Sequence, residues 1–452
     1  MNANKKSGKG YRLLRGVILL LLVALTAAVI YLNSLMPIIT GYAAKNLCSA
    51  VFVSERNQED IENLDLNFSF ISFVKSRVDY EKHTVTSRFL WGKSTAVYRE
   101  GFGVTLLQDK TVEELKAIDF PDITAPYSGD TISWPMGDLM PDSLHGSAAL
   151  GEISDKLVKE QAYGGTAFAF MLVHKGVPVA EAYRSGMDKD TKLLSWSMAK
   201  SITNALVGTM VKDSVISLGD NDLLDEWSDD DRSKITIKNL MHMQSGLEWN
   251  EDYGNRSDVT LMLHCEPDFA EYSYTRPLEH DPGTYWCYSS GTTNIVSYIL
   301  RQQFDTDDDY YAFPHKNLFH KIGITGALFE PDESGTLVGS SYLYMTARDY
   351  ARFALLYLQD GMFEGEQILP RGWVDYSVSP APASNKEYGS FFYLNNNNYI
   401  ESAPEDMYMC RGHDGQRIFI IPSLDIAIVV LGYSPDDSMN FDKLIADIID
   451  AL

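Results

Sequence analysis

From Gly16 to Ala44 the chain carries no charged side chain, and residues 17–32 read VILLLLVALTAAVIYL. A helix rising about 1.5 Å per residue needs roughly 20 apolar residues to cross a hydrocarbon core of about 30 Å, and residues 16–36 supply them. The head in front, residues 1–15, holds Lys5, Lys6, Lys9, Arg12 and Arg15 and no acid. Basic flanks stay on the cytoplasmic side. The pattern therefore predicts a cytoplasmic head and one transmembrane helix or uncleaved signal anchor, single-pass, with the rest of the chain periplasmic or extracellular. The alternative is a cleavable signal, because Gly41-Tyr42-Ala43 offers small residues at two positions of a cleavage site. The apolar run is longer than a usual signal core and the site lies well beyond it, which favours the anchor.

The chain beyond that segment is long and mixed enough for a large folded core: 452 residues in all, 45% hydrophobic and 22% charged. Its formal net charge is −24, with the positive head already counted in. So acidic a body is repelled by phosphate backbones, which excludes nucleic acid as a partner. Cys48, Cys265, Cys287 and Cys410 form no CxxC pair, and at least three of them read as small buried thiols, with a disulfide still open outside the cytoplasm. The nine histidines form no ligand spacing. No metal and no cofactor are expected.

Residues 46–146 mix short β-rich runs, 68–74 and 84–90, with turn-rich stretches. They read as an accessory region that ends in a linker marked by Pro135, Gly137, Pro141 and Gly146. From residue 147 the pattern changes. A helical stretch at 152–161 precedes two β-rich runs, 166–173 and 177–183, around a Gly turn, which read as a hairpin. Near the other end, 417–421 and 426–431 flank Pro422-Ser423-Leu424-Asp425 as a second hairpin. Phe441, Leu444, Ile445, Ile448, Ile449 and Leu452 then recur at helical spacing, predicting a helix that covers one sheet face. Between the hairpins lie helical segments at 202–211, 237–243, 292–303 and 347–359. Strands at both ends with helices between them predict an α+β fold, an antiparallel sheet flanked by helices with an inserted helical subdomain, over residues 147–452.

The sharpest local feature is Ser197-Met198-Ala199-Lys200. Met198, Ile202, Leu206 and Met210 recur every four residues as a buried stripe, and positions i and i+3 of a helix share a side, so Ser197 and Lys200 meet. A serine hydroxyl is a weak nucleophile until a base takes its proton, and a lysine can do so only if its pKa is lowered. Downstream stand Tyr288-Ser289-Ser290, after the turn Pro282-Gly283, and then Gly412-His413-Asp414-Gly415-Gln416 directly before the second hairpin.

In this order the three elements resemble the S-x-x-K, Y-x-N and K-T-G boxes of the serine β-lactamase and penicillin-binding-protein superfamily, in its class C branch. That branch also contains D-amino-acid peptidases, esterases and nylon-oligomer hydrolases. Ser197-Met198-Ala199-Lys200-Ser201 and the loop Glu248-Trp249-Asn250-Glu251-Asp252-Tyr253 look most like the nylon-oligomer hydrolase and esterase-like members. The resemblance implies a β-lactamase/transpeptidase-like fold. It also implies Ser197 as nucleophile, Lys200 as its base partner and Tyr288 as proton shuttle, acting as phenolate or through its hydroxyl. The backbone N–H groups of Ser197 and Gln416 would form the oxyanion hole. His413, Gly415, Ser290, Trp249 and Tyr253 would contact substrate.

Two positions depart from the boxes. Ser290 stands where the second usually carries Asn, removing a side-chain amide, and His413 stands where many relatives carry Lys. Histidine is mostly uncharged at pH 7, so weak carboxylate binding and a preference for neutral esters or amides over penicillins are expected. The expected function is a membrane-anchored extracytoplasmic serine hydrolase that cleaves an ester or amide bond of a small molecule or short peptide through an acyl-enzyme. The alternatives are a D-amino-acid peptidase acting on cell-wall peptides and a noncatalytic ligand sensor on the same fold.

Overall fold

A computed structural model describes residues 4–142, 144, 147–435 and 438–452. Its first helix, α1 (Asn4–Phe52), does not stop near residue 36, where the apolar run alone would end it. The side chains from Gly10 to Tyr31 are exposed, whereas Met36, Ile39, Ala43, Ala44, Leu47 and Cys48 are buried. Those six recur at three- and four-residue intervals, so a second, amphipathic helix continues the apolar one without a break.

The buried stripe meets a four-stranded antiparallel meander: β1 (Lys75–Asp79), β2 (Thr84–Phe89), β3 (Gly92–Arg99) and β4 (Gly103–Leu106). Val85, Ala96 and Val104 supply the inner face and form one cluster with α1, which also takes in Leu328 and Tyr344 of the following region. Residues 68–74, expected as strand, instead hold a 3-10 turn, Ser69–Phe73. Only Ile71 of that turn is buried, a one-in-three pattern that an alternating strand cannot give.

A buried ion pair ties the accessory layer down: Lys45 Nζ lies 2.5 Å from Glu330 Oε2, and Val104 N–H donates to Glu330 Oε1 at 2.7 Å. The linker is pinned as well, because Arg352 donates to the carbonyls of Pro135 and Gly137, each at 2.7 Å. Gly146 lies outside the described residues.

The main sheet has six antiparallel strands: β5 (Thr166–His174), β6 (Val177–Tyr183), β7 (Tyr393–Leu394), β8 (Tyr408–Arg411), β9 (Arg417–Ile421) and β10 (Ile426–Tyr433), in the order β7-β8-β9-β10-β5-β6. The two hairpins expected from sequence join where β10 pairs with β5, Val430 opposite Phe170. Both faces are covered. Phe170, Leu172, Phe419, Ile428 and Val430 pack under α2 (Ala148–Val158) and the C-terminal helix α6 (Phe441–Ala451), whereas Met171, Val173, Ile418, Ile420 and Val429 face the inserted helices. Among those, α3 (Ala199–Lys212), α4 (Ser290–Arg301) and α5 (Ala347–Leu358) frame the site. The four cysteines are unpaired among the described residues.

Candidate active site

Ser197 sits in a 3-10 turn, Trp196–Met198, that runs straight into α3. The residue before it, Trp196, is held at a φ of 44°, a conformation that costs a bulky side chain energy and persists only where neighbours enforce it. They do so here. Ser195 N–H donates to the Leu343 carbonyl at 2.8 Å, and the Tyr350 hydroxyl donates to the Leu193 carbonyl at 3.0 Å. Gly412 approaches from the other side so closely that a Cβ there would lie 2.4 Å from the Ser195 carbonyl oxygen. Only glycine lets the end of β8 reach the serine turn.

The expected base partner is enclosed. Lys200 is 1% exposed, and its Nζ lies 3.1 Å from Ser197 Oγ, 3.0 Å from Ser290 Oγ and 3.0 Å from the Ser340 carbonyl oxygen. Burial pulls its pKa down to about 8, with the Glu251 carboxylate pulling the other way. Nζ also stands 4.8 Å from the centroid of the Tyr288 ring. Burial pushes the Tyr288 phenol well above its ordinary value, and the neighbouring tyrosines Tyr393 and Tyr388 add to that rise, so at neutral pH it is a hydroxyl. Its hydrogen bond with Ser197 works against the rise.

The position that lacks asparagine is occupied differently. Ser290 Oγ donates to Glu251 Oε1 at 2.5 Å, and Ser290 N–H donates to Glu251 Oε2 at 2.9 Å. Glu251 also accepts from Trp249 Nε1 at 2.5 Å and from the Tyr253 hydroxyl at 3.2 Å. A hydroxyl thus links the lysine to a carboxylate held by four donors.

An open cleft of about 410 Å³ is lined by Ser197, Tyr253, Tyr288, Tyr393, Arg411, His413, Gly415 and Arg417 among others. Of the residues expected from sequence, Ser197, Tyr288, His413, Gly415 and Tyr253 reach this cleft. His413 stacks on Tyr253, ring centroids 4.9 Å apart, and meets Trp196 edge-on at 5.5 Å. Besides the enclosed Lys200, three others do not line it. Trp249 lies beneath, its indole holding Glu251; Ser290 is fully buried behind Lys200; and the Gln416 side chain bonds Gly432, donating to its carbonyl and accepting from its N–H. Gln416 N–H points at the His413 carbonyl at 3.5 Å, a long contact.

Four participants escape the sequence reading: Glu251, Tyr393, Arg411 and Arg417. Arg411 lies over the rings of Tyr393 and Tyr399, and Arg417 donates to the Gly412 carbonyl at 2.7 Å. Arg417 is 1% exposed, its guanidinium held on the Gly412 and Gln416 carbonyls, so Arg411 and the Asp414 carboxylate are the charges that join His413 on the wall. For Glu251 a signal exists. With asparagine replaced at 290, the buried lysine needs another polar partner, and the loop before Tyr253 supplies the acid.

Residues 152–450 match the family described as Beta-lactamase. The chain belongs to the Beta-lactamase family. It is a serine hydrolase with the β-lactamase/transpeptidase-like fold. The 6-aminohexanoate-dimer hydrolase of Paenarthrobacter ureafaciens is 24% identical over 295 residues, 59% of this chain and 73% of that protein. A Bacillus anthracis structure named after the 6-aminohexanoate-dimer hydrolases superposes with a TM-score of 0.55 at 22% identity, covering 74% of this chain and 88% of its own. FmtA from Staphylococcus aureus gives a TM-score of 0.52 at 13% identity, covering 70% and 93%. Such low identities speak to fold, and the chemistry rests on the residues of this Beta-lactamase family site.

Proposed function

We propose that this Beta-lactamase family member is a membrane-anchored extracytoplasmic hydrolase that opens a small amide or ester bond through an acyl-enzyme on Ser197. The single observation that carries the reading is Lys200 Nζ between Ser197 Oγ and Ser290 Oγ, at 3.1 and 3.0 Å, buried and with its pKa lowered to about 8. A neutral amine there takes the Ser197 proton as Oγ attacks the carbonyl carbon. The Ser197 and Gln416 N–H groups receive the oxyanion, with the substrate drawing Gln416 N–H away from its long contact to His413. Tyr288, as a hydroxyl, protonates the leaving amine or alcohol. A water then enters, gives a proton back through the same pair, and releases the acid.

The 6-aminohexanoate-dimer hydrolase likeness supports a linear amide as substrate class, and the wide cleft suits one. The anchor reading is supported by the exposed apolar half of α1. Cleavage near Ala43 would strip Met36 and Ile39 from the core, which argues against a removable signal.

A fluorophosphonate probe tests the central claim. One adduct is expected, on Ser197, and none in Ser197→Ala at an unchanged melting temperature. Labelling of that variant at the wild-type rate would overturn the assignment.

A further inference from the structure

The accessory meander ends, on one side, in a patch that neither the catalytic cleft nor the core uses. The β2–β3 turn exposes Leu90 and Trp91, 67% and 54% accessible, and the 3-10 turn before β1 exposes Phe70 and Phe73. These two turns are neighbours, because Phe70 packs against Phe89, ring centroids 6.2 Å apart. Apolar side chains this large, grouped at one tip, mark a contact surface.

Directly above the tip runs a row of cations. Lys75 pairs with Arg88 and Arg88 with Lys93 across three adjacent strands, all three exposed. Like charges directly opposite one another destabilise a sheet. Such a row is stabilised beside a negative surface, and it stands out in a molecule whose net charge is −24.

The tip is also fixed to α1 at one depth. Trp91 Nε1 donates to Asn33 Oδ1 at 3.0 Å, and Gly92 lies so close to Met36 that a Cβ would stand 2.7 Å from the Met36 Cβ. Asn33 is about 27 Å along the helix from Arg15, close to the hydrocarbon thickness of about 30 Å. Aromatic side chains concentrate at that boundary, and basic side chains above it bind anionic headgroups.

We propose that this tip is a membrane foot: Phe70, Phe73, Leu90 and Trp91 enter the outer interface of the bilayer that α1 spans, while Lys75, Arg88 and Lys93 contact anionic lipid headgroups. The inference rests on the anchor reading and adds a second contact. One helix alone leaves the catalytic body free to swivel, whereas a helix and a foot fix the height and orientation of the cleft.

The test is photocrosslinking of the full chain in phosphatidylglycerol-containing vesicles, with a diazirine amino acid placed in turn at Leu90, Phe73, Leu22 and Val215. Lipid adducts are expected at Leu90 and Phe73 as at Leu22 in the apolar helix, and not at Val215, an exposed residue of the catalytic body. Combining K75E, R88E and K93E should lower the Leu90 adduct by about tenfold or more while leaving the Leu22 adduct and fluorophosphonate labelling unchanged. Adducts at Leu22 but none at Leu90 or Phe73 would overturn the foot and leave the anchor standing. Absence at Leu22 would overturn the anchor and the foot together. A Leu90 adduct to protein in place of lipid would assign the patch to a partner chain and refute the proposal.

Discussion

Lys200 and Glu251 are coupled through one hydroxyl, and the coupling sets how this site should respond to pH. Lys200 must be neutral to accept the Ser197 proton, so activity should rise with pH through about 8 and level off above it. Glu251 opposes the lowering caused by burial. Glu251→Gln removes that opposing charge, so the acid limb of the kcat/KM profile should move to lower pH. The plateau should fall as well. A glutamine carbonyl can still accept from Ser290 N–H, but the Ser290 hydroxyl loses a charge-assisted bond worth about 1.5–3 kcal/mol, or roughly tenfold or more in rate. A profile that keeps its acid limb in place would remove Glu251 from the proton balance. Sequence made the serine and lysine legible because their spacing is local. It left Glu251 and Tyr393 hidden, because their proximity to Lys200 and Tyr288 arises from packing between segments far apart in the chain.

Helix α1 is two elements in one rod, and the change of role near residue 33 is what the sequence pattern half conceals. The apolar run announces itself by the absence of charge, while the amphipathic continuation is masked by small residues such as Ala43 and Ala44 that look like more of the same. Only contacts with the meander and with the following domain reveal it: the stripe from Met36 to Val51, the Lys45–Glu330 pair, and Tyr42 stacked on Trp196 beside Ser197 at 6.4 Å between centroids. Truncation before Ser34 should therefore yield a protein that still melts cooperatively and still labels at Ser197. Truncation before Gln58 should abolish both. Lys45→Met is the point version of the same test: it strands the Glu330 carboxylate in the core, and about 3–5 kcal/mol of stability should go with it. A folded, labelled product from the shorter chain would demote the second half of α1 to a tether. The main-sheet hairpins were legible by contrast, because alternation and turn residues lie within a few positions of each other, whereas the 3-10 turn at Ser69–Phe73 imitates a strand in composition.

At the scale of the whole molecule two electrostatic fields of opposite sign act on an approaching substrate. The whole chain carries −24 and repels anions at long range, while Arg411 on the cleft wall, next to the Asp414 carboxylate, is placed to attract a carboxylate that has already arrived. Salt separates the two, because the Debye length shrinks from about 30 Å at 0.01 M to about 8 Å at 0.15 M, which screens the distant charges and spares contacts of a few ångströms. Raising ionic strength over that range should therefore increase kcat/KM for a chromogenic cephalosporin bearing a carboxylate, and leave that for a neutral acetyl ester nearly flat. Arg411→Gln should lower the cephalosporin value at every salt concentration without altering its slope, since the slope belongs to the body and the offset to the wall. The comparison also decides the weight of His413: a cephalosporin rate below that of the ester even at 0.15 M salt means that Arg411 does not replace the missing lysine of the third box. A rate that falls as salt rises would place the dominant charge in the cleft, and the acidic body would then have no part in selecting substrates.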